Sequence, residues 1–529
     1  MGLDLLLLFD QSSPDEIPER RGLAALLSLP ASPALGWEVP GEPNLAMALL
    51  AASARNAGFS VQVLDNFRFY PSPFRSLRRL LREETPLAVG LSTTLIDHED
   101  VVRDIVAFVR RESPTSKVLL GGAAIQRDPR LSSLADVAVL GEGETALVEI
   151  LKSLKTGGAM GHIPGIAYRP AGGKEPVFTG PAARLDADSM PTPDWSFRSH
   201  EHSIYPLETQ RGCPFQCRFC SHPHHNGPDL RQRSVRGVLE ELRFNYDRHG
   251  IRYYRILDPT FTAAPPRCRE LCAAIGDLGL PLRWTCHARV EHMETLAEPM
   301  ARAGCRGVFL GLESADAGIL EGMGKPCSPT RMEAGIRAAK RAGIATYGAF
   351  ILGFPGETER TVRHTVQFIV DSGLDFFRIP VLRLDRHSPL YQRREELGLR
   401  GEGTDWAHRT MDARRAAELS LEAQSDALRG GGPFLGADFD LSPFVRAGLG
   451  FEDALAFQRA KGYVSAHYVV ERRAPERLEA GRFRPEALAG ALRELRRLGK
   501  KAVGVRAYLR TYGEKRTESL IPAGERFPC

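Results

Sequence analysis

Residues 211–220 read RGCPFQCRFC and contain three cysteines at C-x3-C-x2-C spacing, Cys213, Cys217 and Cys220. Cysteine thiolates are the usual protein ligands of iron–sulfur clusters, and three thiolates would leave one iron of a [4Fe–4S] cluster open to a small molecule. A structural zinc site instead takes four ligands, and three histidines follow directly: His222, His224 and His225. A third interpretation is that these cysteines and histidines simply share a crowded loop. The spacing favours the cluster.

Composition places the chain among ordinary globular proteins. Of its 529 residues, 43% are apolar and 26% are charged, and the length predicts several domains. A formal charge of +5 on so long a chain gives no reason to expect a nucleic acid partner. The apolar run at residues 5–9 is too short for a membrane span and lies between Asp4 and Asp10. We therefore expect a buried first strand, no membrane partner and a cytoplasmic location.

The nine cysteines do not form a disulfide framework in a chain of this length. None precedes Cys213, and the six that follow Cys220 are not clustered in the sequence. We therefore expect a single cluster, which weighs against enzymes that carry a second one.

Residues 1–160 alternate short apolar runs with helical segments, which predicts a Rossmann-like, doubly wound parallel sheet. Ligands of such sheets bind beyond the carboxyl ends of the strands. Three groups of small residues fall there: Ser92, Thr93 and Thr94; Gly121 and Gly122; and Gly141, Glu142 and Gly143. An alternative is that the glycines only make turns. The G-x-G-x-x-G pattern of a nicotinamide site is missing after the first strand.

Proline-rich residues 161–200 predict an extended linker. Residues 201–395 contain about six strand–helix units, which predicts a partial (β/α)6 barrel, and residues 396–529 have a mostly helical pattern without a chemical motif. The chain as a whole is thus expected to be α/β. Polar residues follow the apolar runs of the barrel where catalytic groups gather: Asp258, Arg289, Glu313 and Ser314. Each could equally cap a helix or join a structural ion pair.

The three-cysteine loop, with an aromatic residue before its last cysteine, resembles the signature of the radical S-adenosylmethionine (SAM) enzymes. The resemblance implies that Cys213, Cys217 and Cys220 bind the iron and that Phe219 lies near the adenine of SAM. Residues 310–314 resemble the strand-four segment of that family, near the ribose and methionine groups, and residues 350–358 resemble its strand-five segment. The SAM contacts implied by the resemblance are Phe219, Asp258, Arg289, Glu313, Ser314, Leu352 and Gly353. Pro259 stands where the family often has a second acid.

The order of the elements before this loop resembles the cobalamin-binding domain of cobalamin-dependent radical SAM enzymes. Ser92 with Leu95, and the Gly121–Gly122 pair, fit the family pattern of loops around the nucleotide tail. The D-x-H-x-x-G loop that supplies an axial histidine in other cobalamin proteins is missing, so cobalamin is expected to bind without a histidine on cobalt. Residues 94–97 are the candidate segment for the lower face of the corrin. The implied cobalamin contacts also include Thr93, Thr94, Gly141, Glu142 and Gly143.

The resemblance implies a methyltransferase that acts on an unactivated carbon of a small-molecule or peptide substrate. In the implied mechanism, one SAM methylates cobalamin and a second SAM, bound at the cluster, yields an adenosyl radical. That radical takes hydrogen from the substrate, whose carbon then takes the methyl group from methylcobalamin. An electron donor such as flavodoxin or ferredoxin is implied as a partner. Two alternatives stay open: a cyclase or rearrangement enzyme without methyl transfer, and a catalytically inert cofactor-binding protein.

Overall fold

The first strand is the apolar run at the start of the chain, and the parallel sheet that it begins belongs to the first of two units. The structure is a computed structural model that describes residues 2–9, 43–65, 73–94, 99–170, 172–173, 175–197, 204–430, 432–435, 441, 444–445, 449–473 and 485–499. The first unit contains the described residues up to 197 together with Arg231–Gly237. The second contains those of 204–230 and those from Val238 onward.

Five parallel strands form the predicted doubly wound sheet in the order β2-β1-β3-β4-β5. They are β1 (Leu5–Phe9), β2 (Val61–Asp65), β3 (Ala88–Ser92), β4 (Lys117–Gly121) and β5 (Val137–Val139). Successive side chains of β1 point to opposite faces of the sheet. Leu6 and Leu8 therefore pack in one hydrophobic cluster and Leu5 and Leu7 in another, which explains an unbroken apolar run.

Helices cover both faces of this sheet. They are α1 (Leu45–Asn56), α2 (Pro73–Glu84), α3 (Glu99–Glu112), α4 (Ala123–Arg127) and α5 (Glu144–Thr156), with 3-10 turns at Pro129–Leu134 and Ala187–Ser189. Leu77 of α2 and Val102 of α3 pack in the cluster of Leu6, whereas Met47 of α1 and Ile150 of α5 pack in the cluster of Leu7. The predicted Rossmann-like architecture is confirmed.

Two short antiparallel strands extend the first sheet beyond β5. They are β6 (Ile166–Tyr168) and β7 (Val177–Phe178), and they pair in the order β5-β6-β7. The stretch predicted as a linker, residues 161–200, therefore supplies the edge of the sheet over part of its length. Prolines and glycines around these very short strands hide the alternation that identifies a longer strand.

The second unit contains the predicted six-stranded parallel barrel sheet, with a seventh strand from the C-terminal region. Its order is β8-β11-β12-β13-β14-β15-β19. The strands of this unit include β8 (Tyr205–Leu207), β11 (Tyr253–Ile256), β12 (Arg283–Ala288), β13 (Cys305–Glu313), β14 (Ala345–Phe350), β15 (Phe376–Arg378) and β19 (Phe434–Leu435). The two-residue strand β9 (Gln210–Arg211) also belongs to this unit, whereas the two-residue strand β10 (Arg231–Gln232) belongs to the first unit.

Helices alternate with these strands, as the sequence predicts. They are α6 (His222–Asn226), α7 (Val235–His249), α8 (Pro265–Asp277), α9 (Met293–Arg302), α10 (Ala317–Gly322), α11 (Pro329–Arg341), α12 (Glu359–Asp371) and α13 (Pro389–Gln392), with 3-10 turns at Phe261–Ala263 and Val290–His292. Most connect one parallel strand to the next, which is the arrangement of a (β/α) barrel.

The C-terminal region is mostly helical, as predicted, with α14 (Ala413–Arg429), α15 (Phe451–Arg473) and α16 (Pro485–Gly499). Phe451 and Phe457 share a hydrophobic cluster with Tyr347 of β14 and Phe376 of β15, so this region packs on the barrel strands. The region also contains an antiparallel sheet that the sequence did not reveal, formed by β16 (Arg400–Glu402), β17 (Asp405–His408) and β18 (Met411–Asp412). Within the described part of the chain, every helix is too short or too polar to cross a bilayer.

Candidate active site

The cysteine loop begins at Gly212, where the backbone adopts φ +82°. A Cβ atom at Gly212 would lie 2.1 Å from the carbonyl oxygen of Asp229, so this turn excludes every other residue. The backbone N–H of Cys213 donates to the carbonyl of Gly227 at 3.3 Å. The loop is therefore closed at its base by residues that follow the last cysteine.

The three thiols of the loop are half-buried and free. Burial raises the pKa of Cys217, against the opposing positive charges of Lys325 and Arg289. Burial also raises the pKa of Cys220 to about 11, and the neighbouring thiols of Cys217 and Cys213 add to the shift. Thiolates are the form that binds metal, so iron binding here would release protons.

The histidines after the loop do not complete a zinc site with the cysteines. Zinc–sulfur bonds of about 2.3 Å hold the ligand atoms of a zinc site roughly 4 Å apart. In the described part of the chain, the group with ligand atoms all within 4.8 Å of one another is His225, Asp385 and His387, which contains no cysteine. His222 instead lies beside Asn226, with 3.2 Å between Nδ1 and the amide nitrogen. The three thiols therefore fit a cluster with one open iron better than they fit zinc.

Arg218, between the second and third cysteines, fixes the loop to two other segments. Its backbone N–H donates to the carbonyl of Met323 at 2.8 Å, and its guanidinium donates to the carbonyl of Gly322 at 2.9 Å. Its own carbonyl accepts from the N–H of Leu390 at 2.7 Å. Phe219, the next residue, is half-buried. These contacts anchor the loop that carries the three cysteines.

Asp258, predicted to contact SAM, lies fully buried just beyond β11. Its carboxylate accepts from the N–H and the hydroxyl of Thr209, at 2.7 and 2.5 Å, and from the N–H of Gln210 at 3.2 Å. Burial raises the pKa of Asp258 to about 7. This carboxyl group thus joins β11 to the segment that leads into the cysteine loop, and its contact with SAM stays a prediction.

Arg289 lies against the cysteine loop, as its position at the end of β12 predicts. Its guanidinium carbon is 4.1 Å from the centre of the Phe215 ring, which stands between the first two cysteines. The guanidinium also pairs with the carboxylate of Glu291. The backbone N–H of Arg289 donates to the hydroxyl of Thr262 at 3.0 Å. The guanidinium therefore brings a positive charge to the thiols. Its partners Phe215 and Glu291 were not identified from the sequence.

Glu313 ends β13 with φ +65°, one of two non-glycine residues with a positive φ in the described part of the chain. Its carboxylate pairs with the ammonium group of Lys325 at 2.8 Å. Strained backbone of this kind is concentrated at functional sites. Ser314 is fully buried, and its hydroxyl accepts from the N–H of Asp316 at 3.1 Å. Lys325 was not identified from the sequence, since no motif marks it.

The strand-five segment is held by residues that the sequence left without a role. The N–H of Gly353 donates to Glu357 at 2.5 Å, and its carbonyl lies 3.1 Å from Nε2 of His408. Burial raises the pKa of Glu357 to about 7. Trp406 of β17 donates to the carbonyl of Leu382 at 2.7 Å and stacks on His408. The missed antiparallel sheet therefore lies directly against this segment.

The backbone of Leu352 and Gly353 is already used in hydrogen bonds within the protein. The N–H of Leu352 donates to Pro380 at 2.9 Å, and its carbonyl accepts from Leu382 at 2.8 Å. Each carbonyl keeps a second lone pair for another donor. The predicted contact of these two residues with SAM stays a prediction, and those lone pairs are the acceptors available for it.

Replacing Gly353 with alanine is expected to destabilise the second unit by about 3 kcal/mol, from left-handed backbone strain and overpacking together. Gly353 has φ +97°, and a Cβ atom there would lie 2.4 and 2.7 Å from two ring carbons of Trp406. Gly343→Ala is the matched control, because its φ is +76° and nothing lies within 4 Å of its Cβ position. Urea unfolding of both variants measures the difference. Equal losses of unfolding free energy in the two variants would show that Trp406 moves aside without destabilising the protein.

In the first unit, the loops after β3 and β4 lie in contact with each other. The N–H and the hydroxyl of Thr93 donate to the carbonyl of Gly121 at 2.7 and 3.0 Å. Gly122 has φ +109°, and a Cβ atom there would lie 2.6 Å from the Thr94 hydroxyl and 2.8 Å from its backbone nitrogen. The Ser92 hydroxyl is 3.3 Å from that of Thr94. Leu95 and residues 96–97 lie outside the described residues.

The loop after β5 is tied to other parts of the first unit. The Glu142 carboxylate pairs with Arg231 and accepts from the N–H of Leu185 at 2.7 Å. A Cβ atom at Gly141 would lie 2.4 Å from that of Ala182, and one at Gly143 would lie 3.2 Å from Leu50. Close packing of protein atoms thus explains these glycines. The contact of this loop with cobalamin stays a prediction. At Gly122 the missing side chain lets the loops after β3 and β4 approach each other, at the carboxyl edge of the sheet where ligands of this fold bind.

Two protein-family models match the chain, one in each unit. The model described as a B12 binding domain matches residues 41–151. The model of the radical SAM superfamily matches residues 207–369, which contain the cysteine loop and the strand-five segment. The two matches imply cobalamin, a [4Fe–4S] cluster and SAM as cofactors. The Thr93 and Gly122 loops at the carboxyl edge of the first sheet and the three half-buried thiols fit those groups.

Curated relatives and solved structures agree with both matches. An uncharacterized methyltransferase from Pyrococcus horikoshii is 29% identical over 371 residues, which cover 67% of this chain and 80% of the relative. The anaerobic magnesium-protoporphyrin IX monomethyl ester cyclase of Cereibacter sphaeroides is 27% identical over 384 residues, covering 68% and 61%. The radical SAM methyltransferase TsrM from Kitasatospora setae, solved with cobalamin and a [4Fe–4S] cluster, superposes with a TM-score of 0.65 at 18% identity, covering 89% and 100%.

Proposed function

Because the chain belongs to the cobalamin-dependent radical SAM enzymes, we propose that it is a methyltransferase acting on an unactivated carbon of a small-molecule or peptide substrate. One observation carries this proposal: a B12 binding domain precedes a radical SAM domain whose three cysteines are all present. When bound, the cluster supplies the electron that cleaves SAM, and cobalamin supplies a carrier for the methyl group. The methyltransferase named among the relatives supports this choice.

The cysteine loop has the features that this role requires. Cys213, Cys217 and Cys220 would hold three irons and leave the fourth for the amino and carboxylate groups of SAM. Arg289 and Lys325 place positive charge near these thiols. That charge would stabilise a thiolate-bound cluster, which is more negative than the free thiols.

The salt bridge between Glu313 and Lys325 is proposed to orient SAM rather than only to stabilise the fold. Both side chains are mostly buried, with 9% and 12% of their surface exposed. The strained backbone of Glu313 indicates that its position is imposed by the surrounding structure. A carboxylate and an ammonium group at this place offer complementary partners to the polar groups of SAM.

A cyclase or rearrangement activity without methyl transfer is the second candidate. It is favoured by the 27% identity to the magnesium-protoporphyrin IX monomethyl ester cyclase. Both candidates share the cofactors and the initial cleavage of SAM, so they differ in the destination of the methyl group.

Reconstituted protein given trideuteromethyl-labelled SAM, a reductant and a candidate substrate is expected to transfer the labelled methyl group to carbon. Mass spectrometry of the product detects the label, and chromatography measures 5′-deoxyadenosine in the same sample. Screening small molecules and peptides by 5′-deoxyadenosine release identifies the substrate. A variant without the cluster, Cys217→Ala, serves as the negative control.

The possible outcomes separate the three functions. Label in the product supports the methyltransferase. Rapid 5′-deoxyadenosine release with an altered but unlabelled product would instead support the cyclase or rearrangement enzyme. If neither 5′-deoxyadenosine nor an altered substrate forms, and the protein retains its cluster and cobalamin, the result would favour an inert cofactor-binding protein.

The proposed reaction needs an electron donor, for which we propose a flavodoxin or ferredoxin in the reducing cytoplasm. Thiols must stay reduced to bind iron, and that compartment keeps them so. In the labelling assay, a flavodoxin with its reductase should replace the chemical reductant.

A further inference from the structure

A second group of potential metal ligands lies beside the cysteine loop. His225 belongs to α6, which begins just after Cys220, and Asp385 and His387 lie between β15 and α13. One ligand atom from each of the three side chains lies within 4.8 Å of the other two. The Nδ1 atom of His387 is 3.5 Å from a carboxylate oxygen of Asp385. Residues from two distant segments thus converge on one point.

The carboxylate of this group is held in place. Asp385 accepts from the Ser221 hydroxyl at 2.9 Å and from the N–H of His387 at 2.8 Å. Its backbone carbonyl accepts from the Ser388 hydroxyl at 2.6 Å. The ring of His224 stacks on that of His387, with 4.6 Å between centroids and 14° between planes. Outer contacts of this kind fix the orientation of ligands in metal sites.

We propose that His225, Asp385 and His387 bind a divalent transition metal, Zn²⁺ or Fe²⁺, separate from the iron–sulfur cluster. Two imidazoles and one carboxylate are a ligand set of catalytic zinc sites and of non-haem ferrous sites. Bonds of about 2.0–2.1 Å to a tetrahedral metal place neighbouring ligand atoms roughly 3.3 Å apart. The 3.5 Å between His387 and Asp385 is close to that value.

The His387 ring supports a ligand better than a purely structural histidine. Its Nδ1 atom is buried and forms no hydrogen bond with any described residue. A buried polar atom without a hydrogen bond is destabilising, and coordination would remove that cost. The side chains of His387 and Asp385 keep 24% and 20% of their surface exposed, so an ion can reach them from solvent.

Three protein ligands leave at least one coordination position for water or another donor. Ser221, which holds Asp385, directly follows Cys220 of the cluster loop. A metal at this site would therefore bind an oxygen donor, such as a carboxylate or phosphoryl group of the substrate, near the cluster. This inference does not depend on methyl transfer being the reaction.

The test uses reconstituted protein that contains its cluster, incubated anaerobically with one equivalent of Zn²⁺ and then desalted. We expect about one bound zinc per chain, with X-ray absorption showing only nitrogen and oxygen neighbours at about 2.0–2.1 Å. His387→Gln and Asp385→Asn should each weaken zinc binding by about 100-fold. Iron and sulfide content, measured on the same samples, shows that each variant retains its cluster and fold.

The matched control is His364→Gln, because His364 also faces a carboxylate, with 3.6 Å between its Nδ1 and Asp316. The described residues add no third ligand to that pair, so zinc binding should be unchanged. A parallel sample with excess ferrous iron, examined by Mössbauer spectroscopy, shows whether a mononuclear high-spin signal accompanies the cluster. Sulfur neighbours at about 2.3 Å, unchanged binding in both variants, or no zinc or mononuclear iron would overturn the proposal.

Discussion

The Cys217→Ala variant is expected to lose its iron–sulfur cluster and, with it, all cleavage of SAM. Cys217 is the middle ligand of the three, and its thiol is half-buried beside the positive charges of Lys325 and Arg289. Two thiolates leave two irons without a protein ligand, so the cluster is no longer held. After reconstitution, iron should fall from about four atoms per chain to background and the visible absorbance should disappear. The 5′-deoxyadenosine assay should then give no signal.

The matched control for that variant is Cys327→Ala, because Cys327 is also free and half-buried but lies outside the cysteine loop. It should keep its full content of iron and sulfide. Cobalamin bound to the Cys217→Ala protein would show that the first unit has remained folded. Retention of the whole cluster in Cys217→Ala would remove Cys217 as a ligand and, with it, the basis of the proposed function.

The main architecture could be predicted because it depends on local sequence patterns. The Leu5–Leu8 run is buried on both faces of a parallel sheet, and such a strand is apolar at every position. The cysteine spacing likewise identifies a site within ten residues of chain.

The residues that sequence reasoning missed are joined by contacts between distant segments. Lys325 reaches Glu313, Phe215 reaches Arg289, and Trp406 reaches Gly353, and no local pattern marks any of these pairs. Only the arrangement of strands and loops brings their partners together.

The small antiparallel sheet was missed for a different reason. Every residue of β16 is exposed, so the strand lacks the alternation of apolar and polar residues that identifies a half-buried strand. Its Arg400 and Glu402 read equally well as a polar helix or a loop. Phe434–Leu435, which pairs with β15, was missed because two residues are too few to show any alternation.

Replacing Gly122 with alanine is expected to lower the affinity for cobalamin at least tenfold, or about 1.4 kcal/mol. The new Cβ atom would lie 2.6 Å from the Thr94 hydroxyl and 2.8 Å from the Thr94 backbone nitrogen, so the predicted cobalamin loops must separate. Gly122 has φ +109° and ψ −178°, a conformation nearly restricted to glycine, so alanine adds roughly 1–3 kcal/mol of strain to the folded protein. Titration of the apoprotein with cobalamin, followed by absorbance, measures the affinity.

The control Gly58→Ala separates the effect of backbone strain from the effect of the clash with Thr94. Gly58 also lies in the first unit with φ +86°, but nothing lies within 4 Å of its Cβ position. Alanine there introduces the backbone strain alone, so it should lower the unfolding temperature and leave cobalamin binding intact. If Gly122→Ala behaves in the same way, Gly122 serves only the turn after β4. A selective loss of cobalamin, with the iron content of the second unit unchanged, would instead show that the close approach of Gly122 to Thr94 is needed for the cofactor to bind.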